Sequence, residues 1–178
     1  MATFGPAEAS CEVLTFREGL LSPLAHDLVL RVTAFQIAVD LAVPSVEASF
    51  DAASLRVAAA LRDGKALPAG ALSASDAQKI ERTIAGEVLR APRFPAIRFS
   101  SSRVAAEADG YRVEGSLSVT GATRAIAFPV RRDGERLAAE VRLNQPDFGI
   151  RPYSGLLGAI RVQPVVVVRV SIPASAAA

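Results

Sequence analysis

The chain is poor in the residues that most often carry chemistry. Its 178 residues include one cysteine, one histidine, one methionine and no tryptophan. A single Cys11 excludes an internal disulfide framework and any site built from several cysteines. One imidazole, His26, falls short of the three or four protein ligands that a zinc site needs. Long apolar runs are missing as well. The longest stretch without a charged side chain, Ala66 to Ser75, has ten residues, about half of what a membrane-spanning helix requires. No basic segment followed by an apolar one precedes Glu8 and Glu12, so the sequence carries no visible secretory signal and the expected location is the cytoplasm.

Charge of one sign is also lacking. Twenty basic residues face eighteen acidic ones, and the only adjacent basic pair is Arg131-Arg132. Nucleic-acid binders gather positive charge on one face and add stacking aromatics, and this chain does neither, so no nucleic-acid partner is expected. No glycine-rich phosphate loop, dinucleotide fingerprint or Gly-x-Ser-x-Gly elbow is present, and no cofactor, metal or catalytic residue is assigned. At 51% hydrophobic and 21% charged the chain is nonetheless apolar enough to build a substantial core.

What the sequence does have is alternation. Val113, Gly115, Leu117 and Val119 interleave with Arg112, Glu114, Ser116 and Ser118, and Leu137, Ala139, Val141 and Leu143 with Arg136, Glu140, Arg142 and Asn144. Such a period of two marks antiparallel strands with one buried face. Asp109-Gly110, Gly121-Ala122-Thr123 and Asp133-Gly134 supply the reversals, which gives four hairpin-linked strands from Pro95 to Asn144. Ahead of them, His26, Leu28, Leu30 and Val32 share one parity while Phe35, Ile37 and Val39 share the other, so a long strand bends near Thr33-Ala34. A similar change separates Val46, Ala48 and Phe50 from Leu55, Val57, Ala59 and Leu61. Cys11 to Arg17 opens the set and Ile160 to Ile172 closes it, for about eight strands.

One segment departs from this period. Ala77, Ile80, Ile84 and Val88 fall at helical spacing between Ser73 and Arg90, with Ser75 to Gln78 as a candidate capping box and Pro92 and Pro95 as stops. The expected fold is therefore all-β with one inserted helix: an eight-stranded antiparallel up-and-down barrel. Residues 11–173 form the barrel domain, residues 1–10 a flexible start and residues 174–178 a frayed tail. A barrel of eight strands is either filled by side chains or holds one small ligand. Small inward residues, Ala34, Ala48, Ala59, Gly115 and Ala139, favour a hole and larger ones a solid core, and the composition leaves both open.

The ordered motifs resemble the YceI-like family, described as polyisoprenoid- or lipid-binding proteins of lipocalin-like fold. Arg17-Glu18-Gly19 with His26-Asp27-Leu28 resembles the opening of one branch, Ala25 standing where a glycine is usual. Phe94-Pro95-Ala96-Ile97-Arg98-Phe99 resembles the family's Phe-Pro-x-Ile-x-Phe strand. Gly115 to Thr123 and Asp147-Phe148-Gly149-Ile150 through Pro152-Tyr153-Ser154 are similar to two further segments. The resemblance implies a tunnel that holds an isoprenoid or acyl chain. Its expected lining is Leu28, Leu30, Val32, Phe35 and Ile37 from the first half, Phe99, Leu117, Val119 and Phe128 from the centre, and Val141, Leu143, Phe148, Ile160 and Val162 from the last third. His26, Arg151 and Tyr153 are the candidates to meet a head group.

Three functional classes are therefore carried: a lipid carrier, an interaction scaffold, and a lipid-modifying enzyme with His26 as base. For His26 itself, an anchoring hydrogen bond, a head-group contact and catalysis all remain open. Val165 and Val167, read as exposed beside Arg169, suggest an edge or a homodimer contact.

Overall fold

The computed structural model describes residues 1–18, 26–40, 42–155 and 160–177. Alternating segments become fifteen strands: β1 (Ala2–Phe4), β2 (Ser10–Thr15), β3 (Arg17–Glu18), β4 (Asp27–Val32), β5 (Phe35–Asp40), β6 (Ser45–Asp51), β7 (Leu55–Arg62), β8 (Lys65–Ala66), β9 (Ala96–Glu107), β10 (Gly110–Val119), β11 (Ala122–Asp133), β12 (Arg136–Asn144), β13 (Ser154–Gly155), β14 (Ile160–Val162) and β15 (Val165–Pro173). The count exceeds eight because long strands are broken by bends. β4 and β5 are two halves of one run, as are β6 and β7. Hydrogen bonds cross the bend, from Thr33 N–H to the Ser54 carbonyl at 3.0 Å and from Asp51 N–H to the Ala34 carbonyl at 2.9 Å.

With those halves joined, eight long runs pair antiparallel in a ring. β2 lies beside β4, β7 beside β4, β6 beside β9, and β9 to β12 follow as a meander. β15 then pairs with both β12 and β2 and completes the circuit. The chain order around the ring is up-and-down, as alternation with short turns demands. Turn chemistry fits: Thr120 (φ 49°) and Gly121 (φ 84°) both take positive φ between β10 and β11, one residue earlier than the Gly121-Ala122-Thr123 reversal expected from sequence.

The barrel wall has a gap beside β7. β9 pairs with β6, and β8 covers only the end of β7 at Leu61 and Arg62. The helix α1 (Ala74–Thr83) and a wide turn at Ile84–Val88 fill the space, with Leu89 N–H bonded to the Ile84 carbonyl at 2.8 Å. The helix starts at Ser73, not Ser75. The Ser73 hydroxyl accepts the Asp76 N–H at 3.1 Å and donates to the Asp76 carboxylate at 2.7 Å, so the acidic side chain takes the reciprocal place expected for Gln78.

Several other expectations change. Residues 1–10, expected to be flexible, contain β1, which pairs with β5, and Phe4 and Ala9 are buried. They plug the far end of the barrel together with Ile37, Val39, Leu137, Ile172 and Ala174, so the tail also begins as part of a core. The run from Ile160 to Ile172 is split at Gln163-Pro164, because proline has no N–H for the ladder. Its first part joins a small separate sheet with β3 and β13. Val167 is only 3% exposed, against the exposed edge read from sequence. It sits opposite Leu14, which is also buried, in the pairing of β15 with β2.

Candidate functional site

The end of the barrel nearer α1 is hollow. A cavity of about 460 Å³ runs inside it, within the ~300–1,000 Å³ usual for small-molecule pockets. The inward faces of β2, β4, β10, β11, β12 and β15 form the wall, through residues such as Val13, Leu30, Leu117, Phe128, Val141 and Val168. Ile80, Ile84 and Val88 bring the apolar stripe of the helical segment to the same space. Phe99 and Phe128 meet with ring centroids 5.6 Å apart, tilted by 53°. Such a lining offers water almost nothing to bond, so the space suits an apolar guest. Cys11 lies in this wall, 2% exposed. Burial, and then the charge of Glu12, push its thiol up to about 12, so it is an inert thiol and not a nucleophile at neutral pH.

The hollow does not come from small side chains. None of Ala34, Ala48, Ala59, Gly115 and Ala139 is in the cavity wall. The position of Gly115 is already taken by the Phe99 ring, whose Cζ lies 2.7 Å from where a Cβ would stand. The space follows from the circumference of an eight-run ring.

Polar groups gather at the rim. Thr15, Arg17, His26, Lys79, Gln145, Tyr153 and Arg161 all border the cavity. The small sheet places two of them: Arg161 in β14 stands opposite Glu18, and Val162 opposite Arg17. Gln145 holds that sheet to the barrel. Its side-chain amide donates to the Gln163 carbonyl at 3.0 Å, and its N–H to the Pro164 carbonyl at 2.8 Å. Asp27 accepts the Arg17 main-chain N–H at 2.8 Å, fixing the start of β3 against the start of β4. His26 Nδ1 is buried and has no hydrogen-bond partner among the described residues.

Most residues expected to line the tunnel are in this wall. Leu28, Leu30 and Val32 reach it from β4, Phe99, Leu117, Val119 and Phe128 from the central meander, and Val141, Leu143, Phe148 and Val162 from the last third. Phe35 and Ile37 are not. They lie beyond the Thr33-Ala34 bend, where Ile37 packs in the plug with Phe4 and Phe35 pairs its ring with Phe50 at 5.8 Å. The Ile160 side chain lies outside the described residues. Of the head-group candidates, His26 and Tyr153 border the cavity, whereas Arg151 is exposed and not in its wall. Sequence reading missed Arg17, Lys79 and Arg161. Arg17 was legible, since it continues the parity of Cys11, Val13 and Thr15. Lys79 and Arg161 reach the rim through the helix and the small sheet, and no periodicity marks them.

Among the described residues, no helix is long and apolar enough to cross a membrane, and no three His, Cys, Asp or Glu side chains form a metal-holding group. What fold and cavity define is an antiparallel β-barrel with an internal apolar pocket and a polar rim. A YceI-like domain matches residues 30–174, and the chain belongs to the YceI-like family. In three dimensions it is similar to BcnA of Burkholderia cenocepacia, with a TM-score of 0.64 and 18% identity over 93% of this chain and 96% of that one. It is also similar to a mutant of the Campylobacter jejuni YCEI protein with a monobromobimane guest, with a TM-score of 0.51 and 11% identity over 76% of each chain. At these identities the likeness is one of fold. None of the curated proteins matches the sequence.

Proposed function

We propose that this protein is a carrier that takes the apolar tail of one lipid, isoprenoid or acyl, into its barrel. The observation that carries the reading is the 460 Å³ cavity walled by inward aliphatic and aromatic side chains. Each Å² of apolar surface withdrawn from water stabilises the complex by about 25 cal/mol, offset by the cost of immobilising a flexible tail. Side chains of the wall supply this term. His26 and Tyr153 at the rim orient the head group rather than hold the ligand. No step of covalent chemistry is assigned. The reading is tested by native mass spectrometry of the protein purified without detergent, followed by organic extraction. An added mass that extraction removes supports it. A barrel that neither retains nor takes up any alkyl or prenyl chain offered in excess sinks it.

A further inference from the structure

We infer that the ligand is an acidic amphiphile: a carboxylate or a phosphate monoester on an apolar tail. The inference rests on the carrier reading above and specifies its ligand. Among the described residues, the charged side chains that border the cavity are all basic, Arg17, Lys79 and Arg161, beside His26 and with no Asp or Glu. Overall composition does not produce this, since the chain has nearly as many acidic as basic residues. Arg161 is exposed at the rim, and its side chain makes no hydrogen bond or ion pair with another described residue, although Glu18 faces it across the small sheet. Arg17 and Lys79 do have carboxylate partners, Asp63 at 3.3 Å and Asp76 at 3.4 Å, but both partners are well exposed. Such surface pairs are worth ~0–1 kcal/mol, little enough to give way to a ligand anion held against apolar walls.

His26 adds a second, independent sign. A buried ring nitrogen without a partner is costly unless something supplies one. A head-group oxygen at the rim would pair with it. A carboxylate or phosphate offers several such oxygens, which guanidinium groups bind through charge-assisted hydrogen bonds. The apolar wall behind the rim takes the tail. The packed plug of Phe4, Ile37, Val39 and Leu137 blocks passage through the far end.

Calorimetric titration of the delipidated protein tests this with hexadecanoate, hexadecyl phosphate and the neutral hexadecan-1-ol, below their aggregation thresholds. The acids should bind at least tenfold more tightly than the alcohol, and whichever acid binds more tightly identifies the head group. Arg161→Glu should abolish most of that preference with the circular dichroism spectrum unchanged. Equal affinity for acid and alcohol, or a preference untouched by Arg161→Glu, would each overturn the inference and leave the carrier reading intact. Binding of none of the three probes would overturn both.

Discussion

The carboxylate of Glu81 on α1 accepts the main-chain N–H of Val57 on β7 at 2.9 Å. A helix side chain thus stands in for a missing strand. β7 is paired with β4 on one side, while on the other β8 covers only its end at Leu61 and Arg62. The Glu81 side chain also lies 3.8 Å from Arg56. Through this contact the helix seals the wall over the cavity that its own Ile80 and Ile84 help to line.

Glu81→Ala therefore leaves a part-buried N–H without an acceptor and loosens the seal. The expected loss is about 1.5–3 kcal/mol, the range for a hydrogen bond to a charged group. Urea unfolding should show a lower midpoint, and hydrogen exchange at the Val57 amide should speed up more than at Leu117 on β10. Glu81→Gln keeps an acceptor and should recover most of the stability. Unchanged exchange at Val57 in the alanine variant would mean that the helix is not what protects this edge.

Gly115 answers to a different constraint. A Cβ there would press into the Ser100 carbonyl oxygen and come within 2.7 Å of the Phe99 ring. The pairing of β9 with β10 also slips its register between Glu114 and Gly115, which carries the backbones close together. Gly115→Ala should destabilise by about 1–3 kcal/mol, as overpacking of a tight interior does. Adding Phe99→Leu removes the ring from the clash but not the carbonyl, so in the Phe99→Leu background Gly115→Ala should still cost part of what it costs in the wild type. No cost in that background, read from denaturant midpoints, would place the whole strain in the side chain.

The sequence made most of the ring legible, because alternation and Asp-Gly turns are local signals. Leu117 and Val119 declared their face without reference to any distant strand. The change of parity between Val32 and Phe35 likewise located the bend that divides hollow from plug. What stayed hidden depends on contacts across the ring. Gly115 reads as spare volume until Phe99 is seen lying over it, and Phe35 and Ile37 read as tunnel until Phe4 and Ala9 arrive to fill their end. Val162 and Val166 look like one strand, since Gln163-Pro164 between them interrupts the ladder without disturbing the apolar rhythm. At the rim, His26 was found because it shares the parity of Leu28. Arg161 was not, because its place depends on the pairing of β14 with β3.

Cys11 makes the stability of the barrel depend on pH at the alkaline end. Burial, which penalises the thiolate, pushes its thiol in the folded chain up to about 12. A group whose folded pKa is raised contributes stability that is complete below the unfolded value and is lost as pH climbs toward the folded one. From about pH 9 to 12 the unfolded chain sheds this proton first, so the wild type should weaken by an amount of order a few kcal/mol. Cys11→Ala lacks the term and should show a flatter profile over the same window, although it starts less stable from the lost packing. The difference between the two chains in urea unfolding at pH 8 and pH 10.5 isolates the thiol from the tyrosines and lysines they share. A constant difference between those pH values would sink the assignment.

Filling the cavity separates its role in binding from its role in folding. Val168 lies near the middle of β15, paired with Val13 and Val141, and its side chain borders the hollow. Val168→Phe adds a ring to space that no protein atom occupies, so the usual cost of overpacking does not apply and new dispersion contacts form instead. The variant should unfold at the same or a higher urea concentration than the wild type. Its capacity for a sixteen-carbon tail should fall at least tenfold, because the added ring takes up room that the tail would need. Native mass spectrometry with hexadecanoate reads the bound fraction and the denaturant midpoint reads the fold. A variant that remains as stable as the wild type and still binds the acid as well would show that the tail lies somewhere other than inside the barrel.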